Sequence, residues 1–275
     1  MKYFSPLLLA GTVLLSGHGA TAQQAPSPYR TSFAVDAPVT VGLGAISGLG
    51  LYLVSKKDGL NDTQLAALNK NDVPKFDRFS AGNYSKSAQT AGDLIVYPSL
   101  LIAPALLALD TDVRARYGQV LGLYLQTLTA QNAIFTMTVG TVTRYRPFLY
   151  GTEGGGDRNS HISTNSFFAG HTANTATATF FAAKVYHDFH PGSAAEPLVW
   201  TVAALVPAAT AYTRIKAGKH FLSDNIVGYT VGALTGIMVP QLHKTADRTG
   251  LSLLPVQGVN INGYGYSGLA ITKRL

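Results

Sequence analysis

Apolar residues recur along the chain in six segments of helix length, which are separated by polar stretches. None of the segments shows a sustained alternation of apolar and polar residues, and their lengths suit helices better than strands. They run over Val39–Val54, Ala91–Leu109, Tyr117–Thr143, Thr172–Tyr186, Leu198–Ile215 and Asp224–Val239. The pattern, which contains no internal repeat, therefore predicts an all-α fold built as a six-helix bundle.

The remaining stretches divide the chain into further predicted parts. Residues 23–38 contain Pro and Ser and are predicted to be a linker to the helical domain, which occupies residues 39–243. The polar stretch Lys56–Gly92 is predicted to be a surface loop with one short helix near Thr63–Asn69. Residues 244–275 are rich in Gly, Tyr and β-branched residues, which favours a β-hairpin or an irregular tail.

Residues 1–22 have the pattern of a secretory signal peptide. Lys2 precedes the apolar run Phe4–Leu15, and the small residues Ala20-Thr21-Ala22 mark a cleavage site before Gln23. The apolar run is shorter than the ~20 residues of a membrane-spanning helix, so an uncleaved anchor is the weaker interpretation. The pattern predicts that the protein is exported from the cytoplasm.

The composition narrows the class of protein. Only 13% of the residues are charged and 47% are hydrophobic, whereas about 25% are charged in an ordinary soluble domain, so neither disorder nor a long coiled coil is expected. The absence of cysteine excludes a disulfide scaffold, a thiolate zinc site and a cysteine nucleophile. The net charge of +7 favours anionic partners. Nucleic acid is not expected, because the basic residues are spread out rather than clustered with aromatic residues.

The helices favour a membrane location over a soluble apolar bundle. Low charge and frequent Gly, Ala and Thr suit close helix packing in lipid, although several segments are shorter than the ~20 residues needed to cross a bilayer. If all six segments crossed after export, the parity of the crossings would turn the third segment's end towards the cytoplasm. We expect instead an envelope protein with a site that faces the periplasm. Two arrangements give this orientation: the first segment, which glycines interrupt, does not cross the bilayer, or none of the segments crosses it.

Charged and polar residues cluster in three stretches at the ends of predicted helices, and an antiparallel bundle brings all three to one end. The stretches are Arg144-Tyr145-Arg146-Pro147, Ser166-Phe167-Phe168-Ala169-Gly170-His171-Thr172 and the segment Thr213–Asp224. Free backbone N–H groups at the start of a helix bind anions, and guanidinium groups bind oxyanions in a bidentate manner. The convergence predicts an anion site.

His220 and Asp224 stand four residues apart, so that on a helix their side chains would share a face. A carboxylate that accepts a hydrogen bond from one imidazole nitrogen fixes the tautomer and leaves the other nitrogen as a base or nucleophile. We therefore predict that His220 is the nucleophile and that Asp224 orients it. Arg146 and Arg214 are the predicted ligands of the oxyanion.

The three stretches resemble the signature of the type 2 phosphatidic acid phosphatase superfamily, which also contains bacterial class A acid phosphatases and vanadium haloperoxidases. Its pattern is Lys-x6-Arg-Pro, then Pro-Ser-Gly-His, then Ser-Arg-x5-His-x3-Asp. Arg146-Pro147 matches the end of the first motif, Gly170-His171 matches the end of the second, and the third is matched at full spacing by Arg214, His220 and Asp224. The resemblance covers residues 138–226.

The resemblance implies a phosphatase that works through a phosphohistidine on His220. Asp224 would support this nucleophile and His171 would protonate the leaving alcohol, while Arg146, Arg214 and the Gly170 amide would bind the nonbridging oxygens. No metal or cofactor is implied, and vanadate is an expected inhibitor. The implied substrate is a lipid phosphate or diphosphate.

The sequence departs from the family pattern at several positions. Val139 stands where the family has Lys, Phe168 and Ala169 replace Pro and Ser, and Thr213 replaces Ser. The loss of one transition-state donor can lower a rate by about 10² to 10³. The sequence offers four cations in compensation and one further histidine that could line the pocket: Arg144, Arg158, Lys216, Lys219 and His161.

Three other functions stay open at this point. The first is a soluble, periplasmic acid phosphatase of broad specificity, and the second is a vanadium haloperoxidase, which the loss of the motif Lys disfavours. The third is a degenerate member of the family that binds anionic lipid without turning it over, for which Val139 and Ala169 give the motive. The oligomeric state is left open.

Overall fold

The computed structural model describes residues 27–245, 251–259 and 264–273. The predicted signal peptide, residues 1–22, lies outside the described residues. In chain order the helices are α1 (Phe33–Ser55), α2 (Asp62–Ala66), α3 (Lys86–Leu109), α4 (Thr111–Arg114), α5 (Tyr117–Thr141), α6 (Gly170–Phe189), α7 (Glu196–Lys216) and α8 (Leu222–Leu242). Six of them are long and two are short, which confirms the predicted all-α six-helix bundle.

The carboxy-terminal tail forms the predicted β-hairpin. Strand β1 (Leu251–Val259) pairs with strand β2 (Gly265–Lys273) in an antiparallel register that sets Leu251 opposite Lys273 and Val259 opposite Gly265. The hairpin follows the helical domain and contributes no residue to the cavity described below.

The predicted linker is wrong in its last six residues, because α1 begins at Phe33 rather than at Val39. The Asp36 carboxylate accepts a hydrogen bond from the backbone N–H of Ser32 at 2.6 Å and so satisfies one of the free donors at the start of the helix. Pro38 lies inside α1, where its ring removes only one backbone donor. The resulting helix has 23 residues, long enough to cross a bilayer despite its glycines.

Local capping explains where the helices of the polar loop begin. The Asn61 side chain accepts from the Gln64 N–H at 2.8 Å while the Gln64 side chain accepts from the Asn61 N–H at 2.9 Å, a reciprocal pair that starts α2. Ser85 caps α3 by accepting from the Ala88 N–H at 3.2 Å. The short helix that the sequence predicts near Thr63 is therefore present as α2.

Helix α6 lies at the centre of the bundle and packs against α3, α5, α7 and α8. Its contact with α8 is made by small residues, because Gly228, Gly232 and Gly236 of α8 lie against the backbone of the start of α6 and of its first turns. A Cβ atom at Gly232 would lie 2.2 Å from the carbonyl oxygen of Ala173, so only glycine permits this approach. Close backbone contact of this kind is common between helices packed in membranes.

Three helices among the described residues are long and apolar enough to cross a membrane, namely α1, α3 and α7. Their outward faces carry many large exposed apolar side chains. Soluble monomeric proteins rarely expose so many together. Examples are Val41, Leu51, Leu94, Leu101, Leu106, Leu198 and Leu205. These helices are the candidate membrane-spanning segments, and they support association of the protein with a membrane.

Candidate active site

A cavity of about 460 Å³ opens at the end of the bundle where α3, α6 and α8 begin and where α5 and α7 end. Six residues singled out in the sequence line it: Arg146, Gly170, His171, Arg214, Lys219 and His220. The rest of the lining has an apolar part, which includes Val96, Tyr97, Leu100 and Phe135, and a polar part, which includes Gln89, Asp157, Ser163 and Asn174. The three stretches thus meet around one cavity with an apolar wall along α3.

Backbone pairing positions Arg146 on the cavity wall. After α5 the chain runs extended, and the N–H of Arg146 donates to the Ser163 carbonyl at 2.9 Å. Pro147 then starts a 3₁₀ turn, because its fixed φ suits the first position of a helical turn. The guanidinium of Arg146 reaches the Asn165 carbonyl at 3.3 Å, while its buried Nε has no hydrogen-bond partner among the described residues. A bound oxyanion would supply that partner.

The start of α6 is held against α8 and points its first N–H groups towards the cavity end. Ala169, which precedes the helix, donates its N–H to the Asp224 carbonyl at 3.0 Å, and Gly170 is the first helical residue. The first N–H groups of a helix lack partners within the helix and carry the positive end of its dipole. The backbone N–H of Gly170 is therefore in a suitable position to bind an anion, which is the role that the family resemblance implies for it.

Asp93 of α3 joins the second and third motifs. Its Oδ1 accepts from His171 Nε2 at 3.1 Å and from an Arg214 guanidinium nitrogen at 3.2 Å. Sequence reasoning missed this residue. The sequence did contain a signal for it, because Asp93 is the one acidic residue of α3. An ionisable residue inside a candidate membrane-spanning helix is a candidate functional residue.

His220 is held in one tautomer by a backbone carbonyl. Its ring is 3% exposed, and Nδ1 lies 2.6 Å from the carbonyl oxygen of Ser166. A carbonyl oxygen can only accept a hydrogen bond, so Nδ1 carries the proton and the lone pair is on Nε2. Because His220 lines the cavity, this nitrogen is the one available for nucleophilic attack.

The direct His220–Asp224 pair that the sequence predicts is wrong. Helix α8 begins at Leu222, so His220 lies before the helix and the four-residue spacing does not place the two side chains on one face. Asp224 instead accepts from the N–H of Phe221 at 2.8 Å and from the Ser166 hydroxyl at 2.6 Å. Asp224 is thus linked to His220 through Ser166: the Ser166 hydroxyl donates to Asp224, and the Ser166 carbonyl accepts from the His220 ring.

Arg144 belongs to a buried network behind the nucleophile rather than to the cavity wall. Its guanidinium donates to Asp224, to Asp77 at 2.6 Å and to the Ser223 hydroxyl at 2.9 Å. Asp77, which is 1% exposed, also accepts from the N–H of Ser223 at 2.9 Å. Burial raises the pKa of Asp224 to about 6, and the Ser166 hydrogen bond and the charge of Arg144 oppose this rise. The positive charge of Arg144 thus compensates the negative charges of two buried carboxylates, Asp77 and Asp224.

The remaining sequence candidates lie in different places. Lys219 lines the cavity, as described above. Lys216 does not, because its ammonium lies over the Tyr212 ring on another face of the bundle, 5.7 Å from the ring centroid. His161 lies in the 3₁₀ turn His161–Thr164 and is absent from the lining, and Arg158 donates to the Leu149 carbonyl at 3.0 Å.

Burial and nearby cations favour the neutral form of both histidines. The pKa of His220 lies well below its usual value because the ring is buried and because Arg146 and Arg214 are close. Burial, and then the charge of Arg214, lowers the pKa of His171 to about 4, while Asp93 acts in the opposite direction. A bound phosphate dianion would raise both pKa values, because a nearby opposite charge favours the protonated imidazole.

A His171→Gln variant is expected to lose part of the acid sensitivity of the fold. The pKa of His171 is about 4 in the folded protein and about 6.5 in an unfolded chain, so between these values only the unfolded chain binds the proton. His171 therefore lowers stability as the pH falls from about 6.5 to about 4. Between about pH 7 and about pH 5, the thermal unfolding midpoint in detergent should fall by a few degrees less in the variant. Equal falls would contradict the lowered pKa.

Three known families or proteins are similar to this chain. Residues 120–248 match the sequence model of the PAP2 superfamily, a segment that contains all three motifs. The lipid A 4'-phosphatase of Porphyromonas gingivalis is 30% identical over 103 residues, which are 37% of this chain and 36% of that relative. A crystal structure of a transmembrane PAP2-type phosphatidylglycerolphosphate phosphatase from Bacillus subtilis aligns with a TM-score of 0.38 at 15% identity, covering 75% of this chain and 91% of that one.

Proposed function

We propose that the chain, whose residues 120–248 match the PAP2 superfamily, is a member of that superfamily and hydrolyses a lipid phosphate or diphosphate at a membrane surface. One observation carries the proposal: two histidines, two arginines, a lysine and a helix start surround a single cavity. Such a set can bind a phosphoryl group, attack it and protonate the departing oxygen. Each of these roles falls to a residue of the three motifs.

In the proposed reaction His220 Nε2 attacks the phosphorus atom. The new P–N bond forms as the bond from phosphorus to the alcohol oxygen breaks. His171, whose protonated form is favoured by the charge of the bound phosphate, donates its proton to that oxygen and becomes neutral. Arg146, Arg214 and the N–H of Gly170 bind the nonbridging oxygens, whose charge must be stabilised in the transition state. In the second step a water molecule gives a proton to His171 and attacks phosphorus, and the P–N bond breaks to release phosphate. Apart from the substrate and the water molecule, every group in these steps belongs to this chain.

Two features support a lipid as the substrate. The cavity wall formed by Val96, Tyr97 and Leu100 belongs to α3, a candidate membrane-spanning helix, so an alkyl chain could lie along it from the bilayer. The relative with 30% identity is named for a phosphatase of lipid A, itself a lipid phosphate. Export and a periplasm-facing site are part of the proposal. Export depends on the signal peptide pattern of residues 1–22, and the orientation of the site requires that an even number of the helices α1, α3 and α5 cross the bilayer.

The proposal predicts that the purified protein in detergent releases phosphate faster from lipid phosphates than from p-nitrophenyl phosphate. Diacylglycerol phosphate, isoprenyl diphosphate and a phosphorylated lipid A are the substrates to compare, with vanadate as inhibitor. Equal turnover of the soluble ester would favour a broad acid phosphatase. Release no greater than that of a His220→Ala blank would favour a lipid-binding protein, and vanadate-dependent bromide oxidation would indicate a haloperoxidase.

A further inference from the structure

Lys219 is a largely buried residue that lines the cavity next to His220 in sequence. The residue is 9% exposed, and its Nζ lies 5.1 Å from the centroid of the Phe148 ring. Across the described ranges its ammonium forms neither a hydrogen bond nor a salt bridge with the protein. The ammonium is therefore free to bind an anion in the cavity that Lys219 lines.

The chain turn before Lys219 leaves it little freedom. Gly218 has a φ of +67°, and a Cβ atom there would lie 1.8 Å from the Asn83 carbonyl oxygen. The Gly218 carbonyl accepts from the N–H of Phe148 at 3.0 Å, and the N–H of Lys219 donates to the Arg214 carbonyl at 3.1 Å. These contacts tie Lys219 to the segment that carries Arg146 and to the end of the helix that carries Arg214.

The charges around the cavity leave an excess of cations. Arg146, Arg214 and Lys219 all line it, whereas Asp157 is the carboxylate in the lining and Asp93 lies behind His171 and Arg214. Burial, and then repulsion from Arg146, lowers the pKa of Lys219. A multiply charged anion among the three cations would remove their repulsion and would give the Lys219 ammonium the partner that it lacks.

The position at which the family pattern has a lysine does not supply this cation. Val139 is 5% exposed, and its carbonyl accepts from Lys57 Nζ at 3.0 Å. Lys57 also donates to the Val142 carbonyl at 2.9 Å, so it caps the end of α5 and is absent from the cavity lining. Among the sequence candidates for a compensating cation, Lys219 is the one that the structure places in the cavity.

We propose that Lys219 is the third cationic ligand of the phosphoryl group and binds one of its nonbridging oxygens. Lys219 immediately precedes the proposed nucleophile, His220, in the chain. The proposal rests on the proposed function for its catalytic part, while its binding part requires only that the cavity holds a phosphate-like anion. A lysine here contacts the oxygen whose charge grows as His220 attacks, so it stabilises the transition state more than the ground state.

The test compares Lys219→Met with Lys219→Arg and with the matched control Lys216→Met, which removes the same charge outside the cavity. With a lipid phosphate as substrate, Lys219→Met is expected to lower kcat/KM by about 10² to 10³ and to weaken vanadate inhibition at least about tenfold. Lys219→Arg should retain most of the vanadate affinity, and Lys216→Met should match the unchanged protein. Equal kinetics for the two methionine variants would overturn the proposal.

A binding measurement separates this proposal from the proposed function. Vanadate should raise the thermal unfolding midpoint of the unchanged protein and of Lys216→Met, but much less that of Lys219→Met, whether or not any substrate is turned over. Without vanadate, Lys219→Met should be about as stable as the unchanged protein, because among the described residues the Lys219 ammonium has no hydrogen bond or salt bridge to lose. Equal stabilisation of all variants by vanadate would refute Lys219 as an anion ligand even in an active enzyme.

Discussion

A His220→Gln variant is expected to release phosphate at least about a thousandfold more slowly than the unchanged protein, because glutamine has no nucleophilic nitrogen. Its side-chain amide can still donate to the Ser166 carbonyl, which accepts from the His220 ring at 2.6 Å. The fold should therefore persist, and the thermal unfolding midpoint serves as the control. The measurement is the initial rate of phosphate release from a lipid phosphate in detergent.

The same variant tests the covalent step. Rapid acid-free quenching with a labelled substrate should trap a phosphoenzyme in the unchanged protein that is stable in base and labile in acid, as expected of a phosphohistidine. The label should be absent from His220→Gln and should accumulate in His171→Gln if loss of the general base slows the second step more than the first. Label found on another residue, or a His220→Gln variant with normal turnover, would contradict the proposed nucleophile.

Replacing Arg144 by methionine is expected to have the largest effect on stability. Arg144 lies between Asp77 and Asp224, which are 1% and 0% exposed, and the variant leaves both carboxylates buried without their cation. Removal of one partner from a buried ion pair costs about 3–5 kcal/mol. Since the Arg144 side chain is 25% exposed, we expect the lower end of that range. The thermal unfolding midpoint should fall by roughly 6–12 °C.

The matched variants are Asp77→Asn in the unchanged and in the Arg144→Met background. If the loss arises from unbalanced charge, Asp77→Asn should restore part of the stability in the Arg144→Met background and should lower it when made alone. Additive effects of the two substitutions would show that Arg144 stabilises the fold by packing over the Phe221 ring, where its guanidinium carbon lies 4.9 Å from the centroid.

The helices could be predicted from the sequence because each is one continuous apolar segment. Their ends were less predictable, and α1 extends six residues beyond its predicted start because Asp36 caps it across a Pro-containing stretch. The cavity residues Arg146, His171, Arg214 and His220 could be named because motif spacing survives in the chain even when the fold is unknown. At these positions the motif spacing in the sequence correctly predicts which residues line the cavity.

The contacts between the motifs could not be predicted in the same way. Asp77 and Asp93 come from segments far from the motifs in sequence, and only the packing of α3 and of the polar loop brings them to the site. The role given to Asp224 failed for a different reason. The four-residue rule holds inside a helix, whereas α8 begins two residues after His220.

The glycine contact between α6 and α8 has a consequence for how this protein could diversify. His171 lies in the first turn of α6 and Asp224 in the first turn of α8, and the two helices approach each other through backbone atoms at Gly232 and its neighbours. Exposed residues of α1 and α7 take no part in these backbone contacts. The outer helices can therefore vary in sequence while the contact that positions His171 and Asp224 is preserved.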